Sequence, residues 1–396
     1  MKLQPSYLYN LTPLRGIAAL LTVIYHVDIA LGFGVFVNQQ QSHVVDKLYL
    51  MVDFFFILSG FILCYVYGKR FNGPIKRVQF KNFAIARFAR VYPLHFFVLL
   101  YLVLLKVGFL LAGGIEDPFS KMNNSWISIP TNLLLVQAMN VHHWFSWDNA
   151  AWSISTEWWM YMLFPFLVKP IYKLGGKGKI AVLLACIGGY LFIMYYLMKF
   201  VHFPPMLSFL KEAFYGTLDA CYEFGFLRCL FGFVIGMVVY QLYAENFASK
   251  FFAKGYVFLL AVLGLFTCFH FGVPDVISVS FFPLILLSAA YGSRYMNNFF
   301  GSRPLQRIGD WSFSIYMIHQ PLLSTIGTVM AYLHPPIAGA PPPPSAHTDR
   351  ATAWLICLVF IAVTLVISYF TYRFVEVPSR NWINKKYGDR SHRVAT

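Results

Sequence analysis

Few ionisable side chains fall inside or at the edges of the apolar stretches of this sequence: Arg15, His26, Asp28, Asp53, Glu157, Arg228, His270 and His319, with His95 and Lys106. Such groups are costly in apolar surroundings and tend to face the interior of a helix bundle. Arg15 and His26 lie 11 residues apart. On one helix that spacing is about three turns plus 20°, with about 16 Å of axial rise. A single face would then carry an anion-binding guanidinium and, further along, an imidazole that can act as a base. Arg87 and Arg90 are spaced i,i+3, so both could grip one polyanion. Asp53 falls at a depth compatible with His26. Glu157 follows Trp152-Ser153-Ile154-Ser155-Thr156, where Ser155 or Thr156 could cap a helix with Glu157 favourably near its N-terminus. His319 precedes Gln320 and Pro321, and a histidine beside a proline kink suggests a lined cavity. Ser59 has no neighbouring base in the sequence, which favours packing over nucleophilic attack. The pair His142-His143 does not predict a metal site, because adjacent histidines point apart and no HExxH spacing occurs. Walker A and GxSxG motifs are also missing.

The elements that must position these residues follow from composition. Of 396 residues, 58% are hydrophobic and only 12% are charged, about half the charged share of a soluble domain. That excludes a water-soluble globule, a coiled coil, a disordered chain and a disulfide scaffold. Apolar runs predict an all-α, polytopic membrane bundle of about ten transmembrane helices, at 11–36, 48–68, 89–112, 157–172, 179–200, 226–243, 255–272, 276–293, 308–333 and 353–375. The stretch 127–141 is short and contains Pro130 and Asn132, so it reads as re-entrant or interfacial. With the N-terminus in the cytoplasm and 127–141 not crossing, 24 of the 31 basic residues fall inside. This asymmetry predicts that both termini are cytoplasmic. The net charge of +15 is thus a topology signal and not a nucleic-acid patch. Residues 1–380 read as one integral-membrane domain and 381–396 as a basic cytoplasmic tail. The run Pro341 to Pro344 reads as a stiff connector. The first apolar run carries Arg15 and no small-residue cleavage site, so it reads as a retained helix.

Five blocks in order carry a resemblance: "LTPLRGIAALLTVIYH", "FFFILSGFIL", "RFARVYPL", "WSISTEWWMY", and "GDWSFSIYMIHQPLL" with the closing "FVEVPSR". The chain resembles acyltransferase family 3, integral-membrane O-acyltransferases of bacterial surface sugars. The resemblance spans about residues 11–380. It implies the bacterial inner membrane, a cytoplasmic acyl-CoA donor (acetyl-CoA first), no resident cofactor, and a glycan or lipid-linked saccharide acceptor reached from outside. It marks Arg15 and His26 as essential, matches Arg87 and Arg90 to the family's paired arginines, and places Glu157 and His319 in matching motifs. One departure is Thr12-Pro13-Leu14, where many members carry an Asp before the first Arg. The expected mechanism has Arg15, Arg87 and Arg90 on the CoA phosphates and His26 as general base, oriented by Asp53 or Glu157. Ser59 or the Trp152 indole are the options for an oxyanion donor. The alternative class is a proton-coupled transporter or flippase, although no internal repeat is visible.

Overall fold

The computed structural model describes residues 8–335 and 348–388. Lys2, the run Pro341 to Pro344 and the end of the basic tail lie outside the described residues. The described residues are mostly helical, with no β-strand among them. Eleven α-helices have at least 11 residues: α1 Leu11–Leu31, α2 Met51–Phe71, α3 Arg77–Leu111, α4 Ala151–Tyr172, α5 Gly176–Tyr195, α6 Gly225–Ala244, α7 Gly255–His270, α8 Phe281–Tyr291, α9 Ser312–Leu333, α10 Arg350–Thr371 and α11 Val377–Tyr387. The first ten match the ten predicted stretches. Six helical segments are long and apolar enough to cross a membrane, or seven if the pair Asp275–Tyr291 and Arg294–Phe300, bent by 95°, counts as one span. This makes the chain a multi-pass membrane protein. Helix α7 is apolar but has only 16 residues. Helices α4 and α9 are long enough but too polar, since they hold Ser153, Ser155, Thr156 and Glu157, and Ser312, Ser314, His319 and Gln320.

Boundaries differ from the predicted ones for local reasons. Helix α1 stops at Leu31 because Gly32 and Gly34 take positive φ, and Asp28 turns the chain by accepting from the Gly34 and Phe36 amides at 2.7 and 3.0 Å. Helix α4 begins at Ala151, earlier than the predicted 157. Ser155 and Thr156 are therefore inside the helix and do not cap it; their hydroxyls bond the Leu135 and Ser153 carbonyls.

Segment 127–141 forms no spanning helix: it holds only Ile129–Leu133 and then turns through left-handed backbone at Leu135 and Asn140. Irregular backbone at membrane depth survives only where protein groups satisfy it. Here His95 bonds the Asn132 carbonyl (2.9 Å), Tyr92 the Leu133 carbonyl (3.0 Å), and Ser155 and Trp159 the Leu135 carbonyl (2.8 and 2.9 Å). Lys106 donates to the Asn124 carbonyl and pairs with Glu116. Of the ionisable groups on α3, His95 is thus an anchor for this segment and Lys106 for the loop just before it.

Helices α2 and α6 form the closest crossing in the bundle. A Cβ on Gly60 would lie 2.0 Å from the Phe233 carbonyl oxygen, and one on Gly236 would lie 1.9 Å from that of Ile57. Both contacts are with backbone, so only separation of the helices relieves them. Gly60→Ala is expected to cost about 1–3 kcal/mol or more, read as a lower apparent Tm in detergent. Gly108→Ala, which meets open space, should leave the Tm unchanged.

Candidate active site

Helix α1 sets the first two groups. It crosses the short helix Arg303–Asp310 where Gly16 and Gly309 let the backbones touch; a Cβ on Gly309 would lie 2.2 Å from the Thr12 oxygen. Arg15, next to Gly16, is thereby held against a cavity between α1, α2, α3, α4 and α9. The cavity has a volume of about 140 Å³ and is lined by Arg15, Ser59, Arg87, Arg90, Glu157 and Tyr316, among others. The three arginines predicted from spacing share this one wall.

Their states differ. Arg15 makes no ion pair among the described residues. Arg87 donates to the Tyr67 hydroxyl at 3.1 Å and lies over the Tyr67 and Tyr161 rings, while its Nε has no partner among the described residues. Arg90 is already engaged by Glu376. The twin grip expected of Arg87 and Arg90 is therefore asymmetric: one arginine is open and the other is neutralised. Glu376 lies in the closing block "FVEVPSR", where a structural helix terminus at the inner interface would be the simplest role. Instead, a π-helical turn over Tyr372–Glu376 points it inward, where it is buried and also accepts from Ser314 at 3.0 Å. Its sequence signal was the closing block "FVEVPSR". Tyr161 was missed as well, because one tyrosine in an apolar helix carries no special pattern.

Glu157 projects into the same cavity from α4 and accepts the Ser59 hydroxyl. Of the two proposed oxyanion donors, Ser59 is thus held by a carboxylate. Trp152 does not line the cavity and lies under the Arg228 guanidinium, 5.4 Å from ring centre to Cζ.

Beyond Tyr316 the imidazoles meet. The Tyr316 ring lies 5.8 Å from that of His319, and His319 Nε2 lies 3.2 Å from His26 Nδ1. His26 Nδ1 is also 2.9 Å from the Thr22 carbonyl oxygen, one turn earlier on α1. A carbonyl can only accept, so the proton is assigned to Nδ1 and His26 Nε2 keeps its lone pair. His319 is fully buried.

Asp53 requires a correction. The structure does not place it on His26. Its carboxylate is gripped by Arg228 from α6 at 2.7, 3.1 and 3.2 Å, and both side chains are fully buried. Arg228 reaches further to Asp219 and the Tyr49 carbonyl. Glu157 does not contact His26 either; it meets Ser59 through Oε1. The groups that orient His26 are Thr22 and His319, which sequence could not show because one is a backbone atom and the other lies 293 residues away.

Away from this site, His142 bonds Thr131, whereas His143 meets His202 and Glu223 across two loops.

A helical membrane fold with a cationic cavity, and a histidine pair packed behind its Tyr316 wall, is the setting in which the comparisons fall. The chain belongs to acyltransferase family 3: the acyltransferase domain of that family matches residues 8–373. It is 21% identical over 389 residues to the peptidoglycan O-acetyltransferase OatA of Listeria monocytogenes, covering 95% of this chain and 56% of that protein. It is 22% identical to the putative peptidoglycan O-acetyltransferase YrhL of Bacillus subtilis, covering 94% and 55%. It is 23% identical to the acyltransferase MdmB of Streptomyces mycarofaciens, covering 95% and 92%. The chain thus spans about half the length of the two peptidoglycan O-acetyltransferases and nearly all of MdmB. No solved structure matches it significantly.

Proposed function

We propose that this chain is a membrane O-acyltransferase. It takes an acyl group, acetyl in the simplest case, from acyl-CoA on the cytoplasmic side. It delivers that group to a hydroxyl of an extracytoplasmic glycan or lipid-linked saccharide. The observation that carries this reading is one cavity lined by Arg15, Arg87, Arg90 and Tyr316, whose Tyr316 ring packs 5.8 Å from that of His319 in the His319–His26 pair. In this reading the acyl arm passes from the arginines past Tyr316 to the histidines, as transfer between compartments requires. Relatives named for peptidoglycan O-acetylation make a peptidoglycan-type glycan the first acceptor to test.

In this reading helices α1–α10, with α8 lengthened by the preceding turn to Asp275–Tyr291, span the bacterial inner membrane with both termini cytoplasmic, which is the arrangement the basic residues favour. Arg15 and Arg87, which no carboxylate among the described residues pairs with directly, bind the CoA phosphates. The thioester arm follows the cavity toward Tyr316. His26 Nε2 takes the acceptor proton as the hydroxyl oxygen bonds to the acyl carbon. The C–S bond then breaks, and the proton goes to the CoA thiolate. His319 and the Thr22 carbonyl fix the His26 ring, and Glu157 acts on Ser59.

The test is purified protein in proteoliposomes with labelled acyl-CoA and peptidoglycan fragments. Acceptor-dependent release of free CoA is expected; transport without CoA release would replace this reading with the transporter. Arg87→Gln should raise the KM for acyl-CoA about 10–100-fold, the equivalent of one charge-assisted contact, with a smaller effect on the KM for the acceptor.

A further inference from the structure

The loops preceding α4 and α6 bring together a cluster that the proposed reaction does not use. His143 comes from the 124–150 loop, and His202 and Glu223 from opposite ends of the 201–224 loop. Both imidazole Nδ1 atoms lie 2.8 Å from the same carboxylate oxygen, Glu223 Oε1. The two rings sit with centroids 4.1 Å apart, and the three ligand atoms lie within 4.8 Å of one another.

We propose that His143, His202 and Glu223 form a binding site for a divalent transition metal of the Zn²⁺ class, which staples these two loops together. Three features favour a metal over a simple hydrogen-bonded trio. Two imidazoles and one carboxylate are a donor set suited to Zn²⁺ and its neighbours and poorly suited to Mg²⁺ or Ca²⁺. The carboxylate is oriented from behind, because Glu223 Oε2 accepts the His202 backbone amide at 2.8 Å; ligating carboxylates are commonly fixed in this way. Bond lengths of about 2.0–2.2 Å to each ligand require the present 2.8 Å contacts to open slightly. The histidine side chains, 72% and 61% exposed, are free to move that far. Exposure on the ring side also leaves a coordination position for water, so the site is open. Adjacent His142 is excluded, since its Nε2 is held by Thr131 at 2.7 Å.

The experiment uses full-length, tag-free protein in detergent, stripped with EDTA and titrated with Zn²⁺ by calorimetry and with Co²⁺ by visible absorption. One equivalent per chain is expected, with a rise in apparent Tm. His143→Ala, His202→Ala and Glu223→Gln should each weaken binding at least tenfold, whereas His142→Ala should not. The double variant His26→Ala/His319→Ala should still bind one equivalent, which separates this site from the paired histidines in the bundle. Absence of saturable binding, or undiminished binding in both His143→Ala and His202→Ala, overturns the proposal. Because the two histidines are exposed, their removal should not unfold the chain, and a size-exclusion profile matching wild type checks this. The outcome does not depend on acyl transfer, so it stands or falls separately from the proposed reaction.

Discussion

Alanine in place of His26 lowers acyl transfer about 10²–10⁴-fold, the range expected for loss of a general base, with little change in apparent Tm. The size of the effect follows from the geometry. His26 Nδ1 is occupied by the Thr22 carbonyl at 2.9 Å and faces His319 Nε2 at 3.2 Å. The remaining nitrogen, Nε2, carries the free lone pair; the neighbouring His319 faces the opposite nitrogen of His26, and His95 is committed to Asn132. Alanine removes the base but little packing, because His26 is only half-buried. A purified His26→Ala protein with wild-type turnover would refute the assignment. His319 is expected to behave differently. It is a positioning residue, so His319→Gln should retain more activity than His26→Ala. It should also shift the acidic limb of the kcat/KM pH profile, because the neighbour of the base has changed. A purely structural role for His319 would leave that limb in place.

The second large effect concerns stability. Asp53→Ala should lower apparent stability by about 3–5 kcal/mol, the usual cost of leaving one partner of a buried ion pair alone. Arg228 is fully buried, and its contacts to Asp219 (3.3 Å) and the Tyr49 carbonyl (3.4 Å) only partly compensate. Replacing both partners with apolar residues, Asp53→Leu with Arg228→Met, should recover much of the loss, because no uncompensated charge remains. Thermal unfolding in detergent, with yield from membranes, reads both variants. If Asp53 instead oriented His26, Asp53→Ala would lose turnover while keeping its Tm, and the double variant would restore nothing.

Much of this protein is legible in its sequence. Long apolar runs report helices directly, because a buried backbone must satisfy its own hydrogen bonds. The ten stretches reappear as α1–α10, and 127–141 is irregular, as Pro130 and Asn132 suggested. That Arg87 and Arg90 share a face of α3 also follows from local spacing, whereas their meeting with Arg15 of α1 on one cavity required the packing of the helices. Distances along one helix are set by its pitch, so a face can be read without knowing its neighbours.

What crosses between helices was decided only in the tertiary structure. Sequence alone could not choose a partner for Asp53; the α2–α6 crossing at Gly60 and Gly236 brings Arg228 to it and away from His26. It could not show that Glu376, carried inward by a π-turn, would neutralise Arg90 and leave Arg15 and Arg87 open. Nor could it bring His143, His202 and Glu223 together from separate loops. Periodicity determines which way a side chain faces, but the identity of the opposing group depends on how the helices pack, and packing here is set by a few close backbone contacts.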